Sequence, residues 1–133
     1  FEVNGVTVVL DYGHNVSSLT RLLETLAALP HPRRHAVYSA AGDRRDADMV
    51  EQGKLLGGFF DRVVVYEDTC IRGRQPGDIT RLFRQGMAEA GRVSQIEEVF
   101  SGLDAIGHAL AGCQVGDLLL VQPDLVDDGV ALV

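Results

Sequence analysis

Three short stretches concentrate the side chains able to do chemistry. Asp11-Tyr12-Gly13-His14-Asn15 places a carboxylate, a phenol, an imidazole and an amide almost side by side. A carboxylate there accepts ribose hydroxyls, an aromatic or imidazole packs on a base, and an amide reads a polar edge, which is the chemistry of nucleotide contact. The plain alternative is that Asp11 or Asn15 caps the following helix and His14 is a surface histidine. Gly42-Asp43-Arg44-Arg45-Asp46 offers guanidinium groups to a phosphate or carboxylate, or is a turn with solvated charges and a helix cap. Glu67, Asp68, Arg72 and Arg74 form a set suited to a zwitterion, acid groups taking its positive end and arginine its carboxylate; the alternative is a salt-bridged surface loop.

The elements around these stretches say where they must lie. Val6–Asp11 is an apolar β-branched run that ends abruptly in polar residues, as a buried parallel strand does when it delivers side chains to a crevice. Asn4-Gly5 marks a turn before it, after a short leading strand or turn over Phe1–Gly5. Leu19, Leu22, Leu23 and Leu26 share one helical face, with Ser17 or Ser18 as cap and Pro30 and Pro32 closing the segment. His35–Ala41 reads as the second strand of this kind. A helix carrying Met49, Val50, Leu55 and Leu56 follows, capped by Asp43 or Asp46 and expected to stop at Gly57-Gly58. Arg62–Tyr66 is a strand buried on both faces, and Pro76-Gly77-Asp78 opens a helix with Ile79, Leu82, Phe83 and Met87 on one side, ended by Gly91. Val93–Phe100 is a more polar strand placed near an edge. Ser101 caps Leu103–Leu110, Gly112 ends that helix, and Asp117–Gln122 is the last strand.

This alternation predicts an α/β fold: a Rossmann-like, mostly parallel sheet of about five to six strands with helices on both faces and right-handed crossovers. In a parallel sheet, the loops after the first three strands share one rim. These are the three polar stretches, whereas Pro30–Arg34, Gly57–Asp61 and Gly91–Arg92 on the other rim are mostly turn chemistry.

Composition excludes several classes. The net charge of −7, from 19 acidic against 12 basic residues, is the wrong balance for nucleic acid or an anionic membrane. No run approaches the ~18–20 apolar residues of a membrane span, and no signal-peptide pattern opens the chain. Cys70 and Cys113 lack metal-ligand or Cys-x-x-Cys spacing and are read as reduced thiols of a cytoplasmic protein. His31, His35 and His108 show no paired spacing with His14, so no metal site is expected. There is no Gly-x-x-x-x-Gly-Lys-Ser/Thr, Gly-x-Gly-x-x-Gly or Gly-x-Ser-x-Gly, so the chain is not expected to cradle a triphosphate alone, bind a dinucleotide, or act as a serine hydrolase. It opens on Phe1 and closes on Gly-Val-Ala-Leu-Val, and 1–133 is read as one domain cut from a longer protein.

Asp11-Tyr12-Gly13-His14-Asn15 resembles the Asp-Tyr-Ala/Gly-His-Asn/Thr-Pro motif that opens the carboxyl-terminal domain of Mur ligases. Ala40-Ala41-Gly42-Asp43-Arg44-Arg45-Asp46 and Glu67-Asp68-Thr69-Cys70-Ile71-Arg72-Gly73-Arg74-Gln75-Pro76-Gly77 are similar to segments of the cyanophycin synthetase branch. The resemblance runs through essentially the whole chain. It implies the last part of a three-part ligase, in which a central P-loop domain binds ATP and Mg²⁺ and phosphorylates a carboxylate, and an amine attacks the acyl phosphate. The carboxyl-terminal domain would close over the nucleotide and bring the amino acid, arginine in the cyanophycin branch, to the aspartate side chain of an aspartate–arginine polymer. Closure keeps water from the acyl phosphate and holds the amine near the carbon.

Carried over, Asp11, Tyr12, His14 and Asn15 would sit at the adenosine. Asp43 and Arg44 would lie at the mouth of the interdomain cleft. Asp68 takes the place of the first residue of an Asp-Asn-Pro-Arg motif in the Mur ligase that adds a diamino acid, and Arg72 that motif's arginine role. Glu67 or Asp68 would pair with an incoming guanidinium, with Arg74 completing the loop. No catalytic residue or metal ligand is assigned to this domain alone, which is expected to be inactive in isolation; a homo-oligomer is expected for the full protein. Val16 replaces the proline of the first motif, leaving the helix start less rigid. Tyr66 stands where the cyanophycin branch often has lysine, and Thr69-Cys70 replaces more acidic residues. A Mur ligase of peptidoglycan precursor synthesis and a noncatalytic module on a degenerate ligase are the alternatives.

Overall fold

The computed structural model describes residues 2–11, 16–29, 33–38, 45–66, 77–99 and 102–122. Its elements are β1 (Glu2–Val3), β2 (Val6–Leu10), α1 (Val16–Ala27), β3 (Arg34–Tyr38), α2 (Asp46–Phe59), β4 (Arg62–Tyr66), α3 (Asp78–Met87), β5 (Gln95–Val99), α4 (Gly102–Ala111) and β6 (Leu118–Val121). The six strands form one sheet in the order β1-β2-β6-β3-β4-β5. β1 pairs antiparallel with β2 and every other pair is parallel. The β1–β2 turn is Asn4-Gly5, with φ of 52° and 80°, the left-handed pair that a two-residue hairpin with the right twist requires.

Strand order fixes which face each helix covers. The chain steps from β2 across to β3, then to β4 and β5, always in one direction. Right-handed crossovers therefore put α1, α2 and α3 on the same face. The step from β5 back to β6 runs the other way and puts α4 on the opposite face. Two cores result, divided by the pleat. Ala36, Tyr38, Val63, Val65, Leu118 and Leu120 face Leu19, Leu23, Leu26, Met49, Leu56, Leu82, Phe83 and Met87. Their alternates Val37, Val64, Tyr66, Leu119 and Val121 face Ala105, Ile106 and Ala109 with Val6 and Val8. β3, β4 and β6 are thus buried on both sides, as an unbroken apolar run predicts, and the more polar β5 is an edge strand.

Several local expectations are corrected. α2 runs through Gly57-Gly58 to Phe59 instead of stopping there. The reason is tertiary: a Cβ on Gly57 would lie 2.9 Å from Ala90 Cβ, and one on Gly53 would lie 2.4 Å from the Phe83 carbonyl oxygen. Gly53 and Gly57 are the flat face on which α3 rests. α1 begins at Val16, so Ser17 and Ser18 lie inside its first turn and do not precede it. α2 is capped by the backbone of Arg45 with no side-chain cap, and Asp46 is its first helical residue. Asp43, the other residue proposed for that cap, lies outside the described residues. α3 ends at Met87, ahead of Gly91.

Candidate functional site

Because β2, β3, β4, β5 and β6 are parallel, their carboxyl ends share one rim, and α1–α4 all start from it. Helix N-termini present unpaired amide N–H groups and a partial positive charge. α2, α3 and α4 carry carboxylates in their first turns (Asp46 and Asp48, Asp78, Asp104), but α1 carries none. The first turn of α1, which follows the Asp11–Asn15 stretch, thus adds no carboxylate to its part of the rim.

Two tyrosine side chains and the backbone of Gln122 build the floor of this rim. Tyr38, the last residue of β3, donates its hydroxyl to Gln52 Oε1 at 2.8 Å. Tyr66, the last residue of β4, donates to the Gln122 carbonyl at 2.8 Å. Gln122 follows β6, and its N–H donates to the Val37 carbonyl at 2.9 Å. All are buried. These ties stiffen the strand ends from which the polar loops leave. Tyr66 is thereby explained: the phenol faces the α4 side and braces β4 against β6. The sequence carried a signal for this pair, an aromatic hydroxyl as the last residue of the strands that lead to the second and third polar stretches.

Asp11 sits at this rim. It is half-buried directly after β2, and its N–H donates to the Val121 carbonyl at 3.1 Å, tying it to the end of β6. Tyr12, His14, Asn15, Asp43, Arg44, Glu67, Asp68, Arg72 and Arg74 lie outside the described residues. The strands that deliver them are described, however: their stretches leave the carboxyl ends of β2, β3 and β4, as the alternation predicted. Arg45, at the end of the second stretch, uses its guanidinium on its own helix, as a two-pronged ion pair with Asp48 at 3.1 and 3.0 Å. Strand order adds what spacing alone left out. β4 leads to α3 on one face and its neighbour β5 leads to α4 on the other, so the crevice rule opens the rim between β4 and β5, beside the Glu67–Arg74 stretch.

The opposite rim carries buried polar groups that sequence reasoning missed. Arg62 opens β4 and is almost fully buried. Its Nε donates to Glu97 Oε1 at 2.5 Å, and its terminal nitrogens donate to the carbonyls of Ala109 and His108 at the end of α4. His108 also hydrogen-bonds Glu97 through Nε2. Burial pushes the Glu97 carboxyl up, but the hydrogen bonds and charges of Arg62 and His108 outweigh it and hold its pKa below the ordinary value. His35 Nε2 meets Asp117 Oδ2 at 2.9 Å in a fully buried pair. A charged pair in mid-sequence strand starts has no periodic signature, so composition and spacing gave no warning of either group.

The sequence and the fold match known proteins. The Mur ligase, glutamate ligase domain family matches residues 1–125. The chain belongs to that family. The Mur ligase domain is 29% identical to the cyanophycin synthetase of Synechocystis over 133 residues, the whole of this chain and 15% of that protein. It is 32% identical over 107 residues to the UDP-N-acetylmuramoyl-L-alanyl-D-glutamate--2,6-diaminopimelate ligase of Geobacter metallireducens, covering 80% of this chain and 21% of that one. Among solved structures, a ligase of the latter kind superposes with a TM-score of 0.78 at 22% identity, over 92% of this chain and 24% of its own. FolC of E. coli in complex with ADP superposes with a TM-score of 0.70 at 19% identity, over 94% of this chain and 28% of its own. The chain thus spans about a seventh to a quarter of the length of these relatives. Among the described residues, no helix is long and apolar enough to cross a membrane.

Proposed function

We propose that this Mur ligase domain is the carboxyl-terminal part of a cytoplasmic, multidomain, ATP-dependent ligase of the cyanophycin synthetase type, and that it delivers arginine to an acyl phosphate. The observation that carries the reading is the shared carboxyl rim: the stretches bearing the three motifs follow the carboxyl ends of β2, β3 and β4, which lie on one rim of a single parallel sheet. The whole-chain similarity to cyanophycin synthetases supports the branch.

In this reading a central domain of the same polypeptide moves the γ-phosphoryl group of ATP onto a carboxylate oxygen, releasing ADP. The arginine amine then attacks the acyl carbon, the carbon–oxygen bond to phosphate breaks, phosphate leaves with the bonding pair, and the amine loses a proton to solvent. This chain supplies position and dryness. Asp11, Tyr12, His14 and Asn15 contact the adenosine beside the start of α1. Asp43 and Arg44 line the mouth of the cleft. Glu67 and Asp68 hold the incoming guanidinium, while Arg72 and Arg74 hold its carboxylate with the fork geometry suited to that group. Orientation of this kind accounts for a large share of the rate in such a displacement.

ATP ligases also need Mg²⁺ on the phosphates. The one three-ligand cluster among the described residues, His35, Cys113 and Asp117, lies at the opposite rim and offers nitrogen and sulfur, which a hard oxygen-seeking ion avoids. In this reading the triphosphate and Mg²⁺ are held mainly by the central domain, and no step is assigned to the ion here. The isolated domain is expected to be inactive.

The test separates the two ends of the rim in the full-length ligase. Arg72→Ala raises the apparent KM for arginine at least tenfold with little change for ATP. His14→Ala with Asn15→Ala raises the KM for ATP and leaves that for arginine. Equal effects of Arg72→Ala on both substrates would contradict the assignment.

A further inference from the structure

At the rim opposite the proposed ligase site, His35 converges with two side chains of one distant turn, Cys113 and Asp117. His35 is the second residue of β3, Asp117 immediately precedes β6, and Cys113 lies in the turn that leaves α4. One ligand atom from each lies within 4.8 Å of the other two. We infer that His35, Cys113 and Asp117 form a binding site for a zinc-like divalent transition-metal ion, with water in the fourth position, that clamps the α4–β6 turn to the start of β3.

The surroundings are built rather than accidental. His35 and Asp117 are 0% and 2% exposed, and Cys113 is half-buried with a path to solvent. The turn is held by its backbone: Gln114 N–H donates to Asp117 Oδ2 at 3.0 Å, Gly116 N–H to the Gly5 carbonyl at 2.9 Å, and Leu118 N–H to the Arg33 carbonyl at 3.0 Å. Gly116, at φ 95°, takes the left-handed conformation that this turn needs. The turn thus keeps the three ligand atoms close together without an ion.

The metal-free cluster is chemically incomplete. Burial, outweighing the Asp117 hydrogen bond, lowers the His35 pKa, so the ring is neutral near pH 7. With its Nε2–H given to Asp117, its Nδ1 is a buried atom with no partner. Burial and the Asp117 charge push the Cys113 thiol up to about 11, so as a free thiol it is inert. A nitrogen, a sulfur and a carboxylate oxygen are the donor set of a borderline ion in tetrahedral coordination. Tetrahedral zinc separates such ligand atoms by about 3.3–3.7 Å. The His35–Asp117 pair, now at 2.9 Å, opens by roughly half an ångström, and the sulfur closes in by at most about one.

Protons balance as follows. The metal bonds to Nε2 of His35, Sγ of Cys113 and one Asp117 oxygen. The thiol proton leaves to solvent and the imidazole proton moves from Nε2 to Nδ1. That Nδ1–H has no acceptor among the described residues, and outer hydrogen bonds of this kind tighten metal sites 10- to 100-fold. The site therefore binds more weakly than one whose outer shell is complete. Sequence spacing concealed it because His35 lies far from the Cys113–Asp117 turn in the chain, and that turn alone supplies only two ligands.

The test is Co²⁺ titration of the purified protein carrying Cys70→Ser, which removes the other thiol. The expected result is a thiolate-to-cobalt charge-transfer band in the near ultraviolet with visible bands of a four-coordinate ion, both displaced by Zn²⁺. Cys113→Ser on that background abolishes the charge-transfer band, and Asp117→Asn weakens Co²⁺ binding at least tenfold, with native circular dichroism in each. Should Cys113→Ser fail to fold, Zn²⁺ slowing alkylation of Cys113 at least tenfold in the Cys70→Ser protein gives the same reading. A folded Cys70→Ser protein with no such band, or a band that survives Cys113→Ser, would overturn the site.

Discussion

Gly86→Ala and Gly58→Ala, the same change in two neighbouring helices, should act in opposite directions. An added Cβ at Gly86 would lie 2.0 Å from the Val50 carbonyl oxygen and 2.8 Å from the Lys54 nitrogen, both backbone atoms of α2. Neither can rotate away, so α2 and α3 must separate by roughly 1 Å, a gap that forfeits a quarter to a half of each facing van der Waals contact. The displaced contacts include Phe83, Met87, Met49 and Leu56, all buried in one core. Overpacking of this severity belongs at the top of its range, about 3–4 kcal/mol. Alanine returns about 1 kcal/mol of helix propensity, leaving a net loss of about 2–3 kcal/mol. At Gly58 a Cβ meets nothing within 4 Å. Gly58→Ala should therefore stabilise by about 0.5–1 kcal/mol. Urea unfolding followed by circular dichroism reads both, provided the slope is unchanged. A Gly86→Ala protein as stable as the parent, or a Gly58→Ala protein less stable by more than 1 kcal/mol, would refute close glycine-mediated packing of α2 on α3.

Two further outcomes follow from the buried polar groups. Glu97 has a folded-state pKa below the ordinary 4.5, so the unfolded chain binds its proton first; the stabilisation is present above 4.5 and is lost as pH falls through the folded value. Glu97→Gln should flatten that acid limb of a stability–pH profile, and an unchanged limb would remove Arg62 and His108 as its cause. Tyr66→Phe deletes the hydroxyl that donates to the Gln122 carbonyl and should cost about 1 kcal/mol in urea unfolding, with slower ligase turnover in the full enzyme; no change in either would separate this brace from the rim.

What the sequence made legible was what is local and periodic. Val63-Val64-Val65 announced a strand buried on both faces because an unbroken β-branched run has no solvent side to spare, and the glutamates of β5 marked an edge. The shared rim followed from alternation alone. What stayed hidden depends on partners remote in sequence. Gly57-Gly58 reads as a helix stop because glycine ends helices as readily as it permits close packing, and only α3 shows which applies; the spacing of Gly53 and Gly57 was the available hint. Arg62 and His35 at strand starts look like turn charges until Glu97, the α4 carbonyls and Asp117 are brought to them. Strand order, with β6 inserted between β2 and β3, leaves no trace in a linear pattern. Of the proposed site, Asp11 is found at the rim, whereas the roles of Tyr12, His14, Asn15, Asp43, Arg44, Glu67, Asp68, Arg72 and Arg74 rest on the motifs and on the strands that deliver them.

The central claim is that this domain brings arginine to an ATP-activated carboxylate. ADP release by the full-length ligase, measured with an aspartate–arginine primer while each amino acid is supplied in turn, tests it most directly. The account predicts release that depends on arginine and falls sharply with Arg72→Ala. Turnover with another amino acid but none with arginine, or no turnover with any donor in a folded protein, would contradict it.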